Sequence, residues 1–137
     1  MRRVGILTLA IAALMSVGLV AGAAAHTAKF ETTVTAKFNK AKKGGTKPTP
    51  ANFDGTVTST KPRCATNRNV ELRLRATDGS SSVVGTALTD ATGAWVITPA
   101  SVAPGTYFAK VPKTVLRKNQ KHRHICKKAV SKDVTVK

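Results

Sequence analysis

The chain has 137 residues, with 23 Lys and Arg against 6 Asp and Glu for a formal net charge of +17. An apolar content of 42% is too high for a disordered tail, and six scattered carboxylates leave little material for acid–base chemistry. Two cysteines do not make a four-ligand zinc site by themselves.

Residues 1–25 carry Arg2 and Arg3, then an almost wholly apolar run from Val4 to Val20, then small residues ending Ala23-Ala24-Ala25. Charge, apolar stretch and A-x-A in that order read as a cleaved secretory signal peptide helix, not as a membrane anchor. The mature domain would then span 26–137 and begin at His26. No cysteine precedes Cys64 to carry a lipid, and the polar C-terminus AVSKDVTVK offers no transmembrane anchor after cleavage. The expected location is secreted, extracellular or periplasmic. In that compartment Cys64 and Cys126, the only cysteines, are expected to form a disulfide. Closing so long a loop is worth roughly 4 kcal/mol by the chain-entropy model.

Along the mature chain the periodicity is two, not 3.6. Phe30 to Phe38 places its apolar residues on even positions and is expected as one strand. Residues 39–50, NKAKKGGTKPTP, read as a basic loop. Phe53 to Thr58 is a second strand, followed by a loop with Pro62 and Cys64. Val70 to Ala76 alternates without a break, with Val70, Leu72, Leu74 and Ala76 on one face and Glu71, Arg73 and Arg75 on the other. Asp78-Gly79 and Asp90-Ala91-Thr92-Gly93 are turn signals on either side of a strand at 83–88. Strands are expected again at Ala94–Ile97, at Thr106–Val111 and within Ile125 to Val136, with 112–124 as a second basic loop. These elements describe an all-β chain: a single antiparallel β-sandwich of about seven strands, with Val57, Leu72, Leu74, Trp95 and Tyr107 in its core.

Gly55-x-Val57, Val70-x-Leu72, Thr89-Asp90-x-x-Gly93-x-Trp95 and Pro104-Gly105-x-Tyr107-x-Ala109-x-Val111 follow one another in that order. The set resembles the carboxypeptidase regulatory-like, or transthyretin-like (prealbumin-like), β-sandwich family over roughly residues 53–136. The resemblance implies an Ig-like sandwich with an accessory or adhesive role and no catalytic residues.

The basic residues Lys113, Arg117, Lys118, Lys121, Arg123, Lys127 and Lys128 crowd one segment, and Lys37, Lys40, Lys42, Lys43 and Lys47 crowd another. Such runs attract polyanions through long-range field and counterion release. Export and the lack of aromatics within either loop disfavour nucleic acid and favour anionic cell-envelope polymers or glycans. The expectation is a non-catalytic structural or binding module without a cofactor or an assigned metal ligand. No G-x-S-x-G elbow or phosphate-cradling glycine loop points to an enzyme. Two alternatives stand beside it. A new N-terminal His26 offers an α-amine and a ring nitrogen, and with His122-x-His124 would suit copper(II). A stand-alone carbohydrate-binding domain would need an exposed aromatic row.

Overall fold

The computed structural model describes residues 25–119 and 121–137. The expected leader, but for Ala25, lies outside the described residues, as do the side chains of Arg117 and Lys118. The described chain is all-β. Its strands are β1 (His26–Phe30), β2 (Thr33–Val34), β3 (Lys37–Asn39), β4 (Asn52–Thr58), β5 (Asn69–Arg75), β6 (Ser81–Leu88), β7 (Ala94–Ile97), β8 (Gly105–Val111), β9 (Thr114–Asn119), β10 (His122–Cys126), β11 (Ala129–Val130) and β12 (Val134–Val136). Among the described residues one 3-10 turn, η1, covers Pro62–Cys64.

Two sheets form the sandwich. In one, β5 lies between β6 and β8, and β8 continues to β11 and β12. In the other, β4 pairs with β2 and β3 along one edge and with β7 along the other. The chain passes between the sheets three times, from β4 to β5, from β6 to β7 and from β7 to β8, because β4 pairs with β7 while β5 pairs with β6 and β8. Alternation along β4, β5, β7 and β8 turns Phe53, Val57, Val70, Leu72, Trp95, Ile97, Tyr107, Ala109 and Val111 into the common core. The Phe53 ring sits 4.8 Å from Tyr107 and 5.0 Å from Phe38, centroid to centroid, and the Tyr107 hydroxyl donates to the Ala103 carbonyl at 2.8 Å. Leu74, expected in this core, is only partly buried and packs against its margin. Phe108 faces away from Tyr107, yet it is buried under the Arg75 guanidinium, 4.3 Å from its ring centroid.

The strand count exceeds the expected seven in part because two long stretches are broken where side chains replace backbone bonds. Residues 30–38 are not one strand: β1 leaves the sandwich, and β2 and β3 share one register along β4, from Thr33 opposite Thr58 to Asn39 opposite Asn52. Between them the Thr35 hydroxyl accepts the Thr56 N–H at 2.9 Å. The Thr35 carbonyl presses so close that a Cβ on Gly55 would lie 2.0 Å from it. Only glycine admits that approach. The final stretch is broken likewise at Ser131, whose hydroxyl accepts the Ala109 N–H at 2.9 Å between β11 and β12.

Residues 112–124 are not a loop either. They contain β9 and the start of β10, an antiparallel hairpin closed by Asn119, whose side-chain oxygen accepts the Lys121 and His122 N–H groups at 3.0 and 2.9 Å. β1 then pairs with β10 in parallel, making a third sheet in the order β1-β10-β9 and breaking the expected all-antiparallel rule. Apart from Asn39, which ends β3, the 39–50 segment does remain a loop, crossed by one bridge between Lys42 and Thr49.

The turn before β7 follows the sequence. The Asp90 carboxylate accepts the Thr92 N–H and hydroxyl, both at 2.7 Å, and the Ala94 N–H at 3.0 Å, while Gly93 takes φ of 85°. The Thr92 hydroxyl bond first, then the Thr92 and Ala94 amides, hold the Asp90 carboxyl below its usual range. A folded-state value below the unfolded one contributes stability above the unfolded pKa and loses it as pH falls through the folded value. Asp90→Ala should therefore lower the thermal midpoint at neutral pH. The gap between variant and parent should close as the pH is taken well below about 4. Melting curves across that range check it; a gap independent of pH would assign the effect to something other than the charge.

Candidate functional site

The third sheet is where the sequence-selected residues converge, and two devices tie it to the sandwich. Cys126 at the end of β10 is bonded to Cys64 in η1, with Cα atoms 5.3 Å apart and both residues fully buried. Arg68, just before β5, is 2% exposed. Its guanidinium donates to the Cys64 carbonyl at 2.7 Å, to the Pro112 carbonyl at 2.6 Å and to the Thr32 hydroxyl at 3.5 Å. One buried cation thus joins η1, the bend after β1 and the segment entering β9. Desolvation pushes its pKa down, and its Nε has no acceptor among the described residues. Nothing in the local sequence singles Arg68 out; its burial follows from three chain segments meeting over it.

Alternation sorts the side chains of this sheet. On β10, Arg123 is exposed while His122, His124 and Ile125 are half-buried; on β1, Lys29 is exposed while Ala28 and Phe30 are half-buried. Lys121 in the hairpin turn, Lys113 before β9 and Lys128 after β10 are exposed too. Lys127 pairs with Glu31. Among the described residues Lys113, Lys121, Arg123 and Lys128 form no ion pair; the other two pairs, Arg73–Glu71 and Arg75–Asp133, lie in the sandwich. Lys113, Lys127 and Lys128 surround an open hollow of about 550 Å³. The lysines of the 40–47 loop lie in the β3–β4 connection and do not join this sheet.

All six carboxylates are engaged locally. Glu31, Glu71 and Asp133 are ion-paired, Asp54 accepts from Asn39 at 2.9 Å, and Asp78 and Asp90 bond the backbone of their own turns.

The histidines are brought together by strand pairing that sequence spacing does not show. In the parallel register His26 stands opposite His122 and Ala28 opposite His124. The His26 and His122 Nδ1 atoms are 3.0 Å apart, with ring centroids at 4.6 Å. His124 lies 6.1 Å from His26 and 5.3 Å from Phe30, so the four rings run along one face of the sheet. The His26 N–H donates to the Lys121 carbonyl at 3.0 Å. Among the described residues no three His, Cys, Asp or Glu side chains are gathered as a metal centre.

Neither a family model, nor a curated protein, nor a solved structure matches this chain. The described residues include no helix long and apolar enough to cross a membrane.

Proposed function

We propose that the protein is an exported, non-catalytic β-sandwich module that binds anionic polymers of the cell envelope through the basic side of its third sheet. The observation that carries this reading is the set of exposed cations Lys113, Lys121, Arg123 and Lys128, without carboxylate partners among the described residues, on a sheet fastened by a disulfide. Fastening matters because a surface already ordered loses less entropy on binding. Export accounts for the leader-like residues 1–25 and for the buried disulfide together. The ordered turn and strand motifs over 53–136 support a transthyretin-like sandwich as the scaffold.

The test is salt-dependent retention on immobilised heparin and on polyphosphate, two chemically different polyanions. The parent should bind both at low salt and be released steeply as salt rises. With Lys121, Arg123 and Lys128 changed to Ser, the slope of log affinity against log salt should fall by about 2–3 in magnitude, since each neutralised charge releases close to one counterion. Circular dichroism should show the fold unchanged. Unaltered retention of the variant, or no salt-sensitive retention of the parent, would refute the reading.

A further inference from the structure

We propose that His26 and His122 form a copper(II) site completed by the α-amine of His26. It goes beyond the polyanion reading and shares with it only the export step, which would free that amine by cleavage after Ala25. The Nδ1 atoms of the two rings face each other at 3.0 Å. Metal–nitrogen bonds of about 2.0 Å place two cis ligands of one ion roughly 2.8–3.3 Å apart, so the pair is already spaced for a shared metal. The third donor comes from the same residue as the first. An N-terminal histidine chelates through its amine and Nδ1 in a six-membered ring. The atom that becomes this amine is held by the Lys121 carbonyl at 3.0 Å, and a coordinated amine keeps the N–H needed for that bond.

The surroundings fit a small exposed site. The parallel register fixes His26 beside His122 on one face, and the neighbouring cations Arg123 and Lys29 occupy alternate positions whose side chains leave from the opposite face. Lys121 immediately precedes His122 in the turn, and at an exposed site solvent and salt screen its repulsion. Three neutral nitrogen donors in a tetragonal arrangement favour copper(II) over the other first-row divalent ions. The Cys64–Cys126 bond holds β10 at its far end, so the His122 ring is supported by the fold rather than by the metal.

The experiment titrates copper sulfate into the oxidised chain beginning at His26, with glycine as competitor, and records electron paramagnetic resonance of the one-to-one complex. The parent should bind one copper(II) with coupling to three nitrogens and prefer it to zinc(II). His122→Ala should lose one nitrogen coupling and weaken binding by at least the ~100-fold that loss of an outer-shell partner can reach. A chain carrying a long Gly/Ser extension before His26 lacks the free amine and should weaken comparably. His122→Gln, closer in size and polarity, repeats the test should the alanine variant unfold. The Lys121, Arg123 and Lys128 serine variant should keep its copper affinity, which separates this site from polyanion binding. Equal affinity in the His122 variants or in the extended chain, or no stoichiometric binding by the parent, would overturn the assignment.

Discussion

Changing Cys64 and Cys126 together to alanine should lower stability by about 2–5 kcal/mol and the thermal midpoint by roughly 10–20 °C. The bond joins residues 62 positions apart, so its loss returns a large closed loop to the unfolded ensemble. The structure adds a spatial expectation to the overall figure. Beyond the disulfide and Arg68, the third sheet is joined to the sandwich chiefly through chain continuity, and few of its side chains belong to the core. The double variant should accordingly lose protection first in β1, β9 and β10, while β4, β5 and β8 stay slow. Amide exchange resolved by residue measures this, and thiol titration of the denatured, unreduced parent should find no free cysteine. If β10 exchanges as slowly in the variant as in the parent, the disulfide is not what holds the sheet, and the argument for a pre-ordered basic surface fails with it.

The parts of the fold that were legible in sequence are those whose side chains are sorted by a two-sided environment. β5 is the clearest: Val70 and Leu72 are fully buried while Glu71 and Arg73, one residue over, pair with each other at the margin. Asp90 and Gly93 were legible because a turn's chemistry is local. The hairpin β9–β10 was hidden for the opposite reason. Its strands bury little, lysines and arginines fall within them, and backbone pairing closes them instead of an apolar face. The break between β2 and β3 was equally hidden, since it depends on a Thr35 carbonyl meeting Gly55 across a strand pair. The cysteines could be paired by elimination, two being all there are. His26 and His122 stand in the sequence as possible partners for copper, but nothing local fixes their meeting, because the residues are 96 positions apart and come together only through a parallel pairing that no local pattern announces.

Arg68 provides the second large effect. Arg68→Met should cost about 2–5 kcal/mol, although methionine fills much of the same space and avoids burying a charge. A buried guanidinium without a carboxylate would ordinarily be replaced by an apolar side chain at little loss. Here the acceptors decide the sign. The Cys64 and Pro112 carbonyls take its hydrogen bonds at 2.7 and 2.6 Å, and both belong to segments that must turn rather than extend a sheet. Removing the donors leaves the buried Cys64 carbonyl unpaired, at about 1–3 kcal/mol, and the part-buried Pro112 carbonyl unpaired at a smaller cost. The same change should loosen the entry to β9, since Pro112 immediately precedes Lys113. Chemical denaturation measures the stability, and exchange of β9 amides measures the loosening. Arg68→Lys should recover only part of the loss, because one ammonium on a flexible stem does not reproduce a planar fork reaching Cys64, Thr32 and Pro112 together. A methionine variant as stable as the parent would mean that those carbonyls find other donors, and Arg68 would then be a passenger at the junction rather than the group that closes it.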